Sequence, residues 1–531
     1  MTTVTVAINT ARATATAATN GMACVNFDWW PKSKCDYGRC PWQDAGVLDI
    51  DLEHPALVTA VQTLSSASPP LTIRVGGSLC DTISYNMSAA DEHLCGKFKL
   101  DNSTHLGYSL KGPCMNMKRW EQLNTLCAPP NCRIAFGLNG LAGRSFASTC
   151  PAGTNCKWTN PPPKCCTTFQ GDWDPSNALS LMRHAKRTGT TPFAFELGNE
   201  IAGPKGIEAK TLTAAQYGSD ADRLAAAITS VWSTTASRPK VIAYDTSYDD
   251  AFVRALLNAT DSIDILTTHA YVLGAGAHPD AVFQHAMSAK ALDAQDEEYR
   301  KTAAAIASVR GAAARRPVPW VGEAGGAYNS GAPSVTDAFV SAFWYLDALG
   351  ASATHGFGGW CRQTLVGGNY SLLSTDSFTP HPDFYAALLW RSLMGPAALA
   401  AGNASSQALR VYAHCAATGG PPPPQLANGD QASSSGGGVS VLLLNMGATA
   451  LTAEVGDDTS PSWLSSLARE EWVGEASAAG MRASTVLING VEPDGMALPP
   501  ARHADAGTPI TLPPMSYAFV RAIDAKALAC M

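Results

Sequence analysis

The sequence predicts an α/β fold: a (β/α)8 TIM barrel with a C-terminal antiparallel β-sandwich. Three observations carry this. Eight near-continuous apolar runs alternate with helical stretches up to about residue 360, as parallel strands buried on both faces require. Beyond about residue 400 helical periodicity stops, and short strand-like runs divided by Gly, Pro and Asn take over. The chain has 531 residues, more than the roughly 100–200 that one simple core organises.

In chain order, Thr3–Thr10 alternates like a strand with one exposed face and is expected to join the sandwich. The barrel strands are expected at Met22–Asp28, Leu71–Gly77, Arg133–Gly140, Phe193–Glu200, Lys240–Asp245, Asp264–Tyr271, Pro317–Ala324 and Ser352–Trp360. The helices between them are expected at Pro55–Leu64, Met117–Leu126, Ala178–Thr188, Ala214–Val231, Ala281–Arg310 and Val335–Leu349. Sandwich strands are expected at Leu409–His414, Val439–Leu444, Ala448–Val455, Arg482–Ile488 and Ser516–Ala522, with a flexible excursion near 419–438. The domains are thus residues 1–15, a strand lent to the sandwich; 16–395, the barrel; and 396–531, the sandwich.

The composition excludes other classes. With 46% apolar and 15% charged residues a large core is available, which rules out global disorder. A net charge of −7 disfavours a nucleic-acid or polyanion surface. No apolar run approaches the ~18 residues of a membrane span. The first residues, MTTVTVAINTARATATAAT, contain no continuous apolar core of a signal peptide.

Of 15 cysteines, twelve lie between Cys24 and Cys166. The pairs Cys35/Cys40, Cys127/Cys132, Cys150/Cys156 and Cys165/Cys166 lack zinc-knuckle spacing and nearby histidines, so disulfides are favoured over metal. The odd count leaves a thiol free or paired between chains. Sequons stand at Asn86, Asn102, Asn258, Asn369 and Asn403. Together these favour a secretory history, with a cell-wall, extracellular, vacuolar or lysosomal destination.

A barrel places its chemistry at the C-terminal ends of its strands. Strand four ends in FELGNE, with Asn199-Glu200, and strand seven in WVGEAGG, with Glu323. A lone glutamate at a strand end is more often an ion-pair partner or cap. Two carboxylates on strands that can face across the mouth are the equipment of a glycosidase: one gives a proton, the other attacks or activates water. Glu196 is read as a supporting carboxylate, not a reacting one. His269 is open between a core histidine and a subsite wall.

The segments FELGNE, WVGEAGGAYNSGAP, FWYLDALG, RQTLVGGNY and HPDFYAALLW resemble the heparanase family, glycoside hydrolase family 79. CVNFDWWPKSKCDYGRCPW, LTIRVGGSLCD, MKRWEQLN and FGLNGLAGR resemble its plant-type branch. The similarity runs from about residue 3 to 531, with insertions near 127–132, 148–168 and 419–438. It implies Glu200 as general acid/base and Glu323 as nucleophile. It implies Asn199 on the sugar 2-hydroxyl, Tyr271 on Glu323, and Asp28 and Ser78 on sugar hydroxyls. It implies that Gly368, Asn369 and Tyr370 of GGNY, with Gln363 beside them, cradle a glucuronate carboxylate. Asn329 and Ser330 stand where animal heparanase has two glycines, a departure within the carboxylate-side loop. The resemblance also implies a disulfide Cys415–Cys530 and, from the plant-type pattern, Cys95–Cys114.

The expected activity is retaining hydrolysis of β-glucuronides, exo-acting on terminal glucuronic acid of proteoglycan-like glycans or small glucuronides. Two alternatives stay open: an endo-acting enzyme on a glycosaminoglycan-type polymer, and a non-catalytic glycan-binding homologue. A same-clan glycosidase for a neutral sugar is disfavoured by GGNY. The densest basic patch, Ala314–Arg316, is slight, so a heavily sulfated polymer is disfavoured. The expectation is a single-chain monomer with no cofactor, no metal and no nucleic-acid partner.

Overall fold

A computed structural model describes residues 2–16, 22–67, 70–88, 95–102, 104, 106–147, 168–207, 211–234, 238–309, 316–417 and 437–531. The cysteines Cys150, Cys156, Cys165 and Cys166 and most of the 419–438 excursion lie outside these residues, as do Ala314 and Arg315.

Eight parallel strands close into a barrel: Ala23–Phe27, Leu71–Val75, Cys132–Leu138, Ala194–Leu197, Lys240–Ser247, Ile265–His269, Val318–Ala324 and Gly359–Arg362. They are hydrogen-bonded in sequence order, and the eighth closes on the first in register, Cys361 opposite Cys24. Those two residues form a disulfide across the seam, 337 residues apart in the chain. The floor of the barrel is filled by Ala135, Ala194, Ile242, Ile265 and Trp320, with Trp320 stacked on Phe193 at 5.8 Å.

Several expected boundaries need correction. The eighth strand is Gly359–Arg362, not Ser352–Trp360. The small residues of LDALGASAT continue a helix, Ser341–Thr354, and Ser352 Oγ donates to the Ala348 carbonyl within it. Residues 335–340 form turns before that helix. The long helix over 281–310 is two, Pro279–Ala286 and Ala289–Val309, with Pro279 at the first position where its missing N–H costs nothing. Two further helices are present. Asp250–Ala259 is capped by Asp249, whose carboxylate accepts from the Phe252 N–H at 2.9 Å. Pro382–Leu393 begins at a proline.

The C-terminal region is a ten-stranded sheet. From one edge its order is Val486–Ile488, Arg469–Ala476, Ser516–Ala522, Val439–Asn445, Leu409–Ala416, Met394–Ala401, Thr2–Thr16, Leu451–Gly456 and Ile510–Leu512, with Arg502–Ala504 beside Arg469–Ala476. The pairing is antiparallel except between the first strand and Leu451–Gly456. That first strand changes partner midway: residues 2–7 pair with Leu451–Gly456, and residues 8–16 with Met394–Ala401. The expected strand over 482–488 shortens to Val486–Ile488. The carbonyls of Met481 and Ala483 instead accept the N–H groups of Val340 and Phe339 from the barrel.

Strand alternation gives the sheet two buried faces. Val441, Leu443, Ala518 and Val520 enclose a small core with Val4, Val6 and Ile8. Leu442, Leu444, Tyr517 and Phe519 join the main core against the barrel. Tyr517 stacks on Phe339 at 6.0 Å, and Tyr412 Oη donates to Asp347 at 2.7 Å. Tyr412 lies so close to the helix that a Cβ on Gly350 would stand 2.2 Å from its ring.

Five disulfides join described cysteines: Cys24–Cys361, Cys35–Cys40, Cys95–Cys114, Cys127–Cys132 and Cys415–Cys530. Cys80, buried, is the free thiol among the described residues.

Candidate active site

The strand ends converge on one buried cation. Arg74 sits in the second strand, LTIRV, a charge within an apolar run. Its Nε donates to Glu196 at 2.8 Å, Nη1 to Glu323 Oε2 at 3.0 Å, and Nη2 to Asn199 Oδ1 at 2.8 Å and to Asp245. A guanidinium, with five N–H groups in a rigid plane, suits four acceptors where an ammonium would not. Asp245 also meets His269 Nε2 at 2.8 Å, and His269 Nδ1 meets Glu200 Oε1 at 2.7 Å. An unbroken chain of hydrogen-bonded side chains therefore runs Glu323–Arg74–Asp245–His269–Glu200.

Electrostatics follow from burial and these partners. Burial disfavours the charge on His269, but Asp245 and Glu323 outweigh it and hold the imidazole well above its usual range. Each of its ring nitrogens faces a carboxylate oxygen. Burial would raise Asp245 too, yet Arg74 and His269 hold it below the ordinary carboxyl range. Burial pushes Glu196 well above that range against the pull of Arg74. Glu196 is thus a buried partner of Arg74, with none of its side chain exposed.

Glu323 accepts a second hydrogen bond, from Tyr271 Oη to Oε1 at 2.6 Å. Tyr271 lies two residues past the sixth strand. Glu200 follows the fourth strand with φ of +53°, where a non-glycine residue is strained. Two backbone bonds hold it there: its N–H donates to the Asp245 carbonyl at 2.8 Å, and its carbonyl accepts from Ile207. Glu200 keeps 19% of its side chain in water, Glu323 9%.

One oxygen of each glutamate and one ring nitrogen of His269 lie within 4.8 Å of one another. A divalent cation can use such spacing, but this donor set does not suit one. Both nitrogens of His269 already face carboxylates, and Arg74 already occupies Glu323.

The remaining expected residues divide in two. Asp28 follows the first strand, and Gly77 approaches it so closely that a Cβ there would stand 2.4 Å from its carboxylate. Asp28 accepts from Gln363 Nε2 and from the Trp29 N–H, both at 2.6 Å. Burial and Glu323 push it up to about 7. Tyr370 is buried beside Gln363 and Asp28. Ser78 opens a short 3-10 turn, Ser78–Thr82. Within that turn Asp81 accepts the N–H groups of Gly140 and Asn199, fixing Asn199 from behind.

Asn329 and Ser330 stand further out. Both have positive φ, +58° and +65°. Asn329 Nδ2 donates to Tyr37 Oη, Ser330 Oγ donates to Asp36, and Trp42 Nε1 donates to Ser330 Oγ. The Asn369 N–H donates to the Ser330 carbonyl at 2.7 Å. That is a correction, because this N–H was expected to face a substrate carboxylate. Gly368, at φ +75°, makes no backbone N–H bond of this kind.

Sequence reasoning did not single out Arg74, Asp245, Asp81, Asp36 or Trp42. Asp245 carries the same signal as Glu200 and Glu323, a carboxylate closing an apolar run, here KVIAYD.

Residues 3–350 match the family described as Glycosyl hydrolase family 79, N-terminal domain. Heparanase-like protein 3 of Arabidopsis thaliana is 32% identical over 534 residues, covering 96% of this chain and 91% of the relative. Baicalin-beta-D-glucuronidase of Scutellaria baicalensis is 32% identical over 399 residues, covering 74% of this chain and 71% of that protein. Among solved structures, a 4-O-alpha-L-rhamnosyl-beta-D-glucuronidase from Fusarium oxysporum superposes with a TM-score of 0.61. It covers 97% of this chain and 99% of its own, at 14% identity, a likeness of fold alone.

Proposed function

Because this chain belongs to glycosyl hydrolase family 79, we propose that it hydrolyses β-glucuronides with retention of configuration, removing terminal glucuronate from proteoglycan-like glycans or small glucuronides. The observation that carries this is the glutamate pair, with oxygens of Glu200 and Glu323 within 4.8 Å of each other. Retaining enzymes hold their carboxyl groups about 5–5.5 Å apart, whereas inverting ones leave about 6.5–9.5 Å for a water.

In this reading Glu323 attacks the anomeric carbon while Glu200 gives its proton to the glycosidic oxygen. The bond to the aglycone breaks and an ester to Glu323 forms. Glu200 then takes a proton from water, which attacks the same carbon, releases glucuronate and restores Glu323. Arg74 and Tyr271 aim the Glu323 oxygens, and His269 aims Glu200. Asp28, Asn199, Ser78 and Gln363 bind sugar hydroxyls. The Gly368 N–H and the Tyr370 hydroxyl meet the glucuronate carboxylate. The disulfides fit a protein folded in an oxidising compartment.

The test is hydrolysis of a chromogenic β-glucuronide at mildly acid pH beside the matching β-glucoside, with NMR of the first sugar released. Turnover of the glucuronide alone, with β-glucuronate appearing first and loss of activity in both Glu200→Gln and Glu323→Gln, supports the reading. Release of the α-anomer first refutes retention. Equal turnover of the glucoside refutes carboxylate recognition. No turnover of either, with cutting confined to internal bonds of a glycan polymer, refutes exo action.

A further inference from the structure

Beside the carboxylate loop is a second feature, whose meaning rests on the glucuronidase reading above. The disulfide Cys35–Cys40 closes a tight turn, CDYGRC. Across it Asp36 and Arg39 exchange backbone hydrogen bonds of 2.8 and 2.9 Å, so the turn is stiff. Its tip reaches Asn329 and Ser330 through Tyr37 and Asp36. Between the two segments opens a pocket of about 100 Å³, with Tyr37, Arg39, Gly276, Asn329 and Asn369 in its lining.

Three things about this pocket point to a ligand. Tyr37, in its lining, remains 51% exposed. It is one of only six large apolar side chains so exposed among the described residues. Asp36 is neutralised by Lys34 at 2.9 Å. Arg39 is exposed and lines the pocket, and no ion pair holds its guanidinium among the described residues. An exposed aromatic face suits the C–H face of a sugar ring, which is apolar while the ring edge is polar. A free guanidinium suits one carboxylate, which it can grip with two hydrogen bonds.

We propose that this pocket is a second sugar subsite for an acidic ring adjoining the glucuronate in the same glycan, the ring lying against Tyr37 and its carboxylate on Arg39. It would make uronate-rich glycans better ligands than glucuronides of neutral partners. The single cation favours one carboxylate over a densely sulfated chain.

Calorimetric titration tests this in the Glu200→Gln chain, which binds without turning over. The probes are glucuronic acid, β-glucuronosyl-glucose and β-glucuronosyl-glucuronic acid. The acidic disaccharide should bind about tenfold tighter than the neutral one at low salt, the worth of one part-exposed charge-assisted contact. Adding Arg39→Gln should erase that difference and leave glucuronic acid unchanged, while Arg39→Lys should keep part of it. About 0.5 M salt should shrink it. Equal affinity for the two disaccharides, or a difference that survives Arg39→Gln, overturns the subsite. Arg39 is exposed, so the fold should persist, and an unchanged melting temperature checks that. If glucuronic acid does not bind and the wild type turns over no chromogenic glucuronide, the glucuronidase reading falls and the subsite with it.

Discussion

Replacing Asp245 by Asn preserves side-chain volume and removes one charge from the centre of the ion chain. Asp245 is fully buried and pairs with both Arg74 and His269. Asn would turn an amide hydrogen toward a donor. Removing one partner of a buried ion pair costs about 3–5 kcal/mol. For 531 residues melting as one unit, an entropy near 2.1 cal/mol/K per residue sums to about 1.1 kcal/mol/K, so the melting temperature should fall about 3–5 °C. The pH dependence gives the change a signature. Asp245 is held below its ordinary 3.8, so its stabilisation is present above 3.8 and is lost as pH falls through the folded value. His269 is held above its ordinary 6.5, so its stabilisation is present below 6.5 and is lost as pH rises through the folded value. Both contributions are complete between 3.8 and 6.5. Scanning calorimetry of wild type and Asp245→Asn should show the widest gap near pH ~5.5 and a narrower one well below pH ~3.5. Melting temperatures within a degree at pH ~5.5, or a gap unchanged by acid, would refute the network as the source of stability.

Other perturbations separate the parts. Tyr271→Phe removes one charge-assisted hydrogen bond from Glu323, worth about 1.5–3 kcal/mol; kcat/KM for the chromogenic glucuronide should fall roughly tenfold to a hundredfold, with the melting temperature nearly unchanged. Gly350→Ala places a Cβ 2.2 Å from the Tyr412 ring, so barrel and sheet must part locally; calorimetry should record a loss of about 1–3 kcal/mol. Paired replacement of Cys415 and Cys530 by Ala opens a loop of sequence separation 115; chain entropy sets an upper loss of about 4–5 kcal/mol, read by denaturant titration of the oxidised proteins.

Local signals made most of the barrel legible. Apolar runs such as LTIRV and FAFEL are near-continuous because both faces are buried, and strand order then follows from alternation with helices. The eighth strand was displaced because ASATHGFGGW is apolar and small, a composition that helix and strand share. Helix Ser341–Thr354 is buried along most of its length, so amphipathic periodicity is lost just where it was needed. In the site, Glu200 and Glu323 stand out as carboxylates closing apolar runs. What they touch is another matter. Arg74 meets Glu323 across 249 residues and Asp245 across 171, and Trp42 meets Ser330 across 288. Such contacts are made by closure of the barrel, and no local pattern encodes them. Cysteine counting likewise favoured disulfides without naming Cys24 and Cys361 as partners.

That seam bond changes what a cut does to the molecule. Residues 24 and 361 are covalently joined where the last barrel strand meets the first, so the backbone between them is a closed ring. A single protease nick in that ring, outside the small loops closed by Cys35–Cys40, Cys95–Cys114 and Cys127–Cys132, opens the ring but releases no fragment. The nicked protein should run as one species without reductant and as two with it. The strands on either side of the cut stay tethered at the seam, so re-pairing after damage remains an intramolecular event. Loops at the mouth can therefore be long and exposed to proteases while the halves of the barrel stay held together.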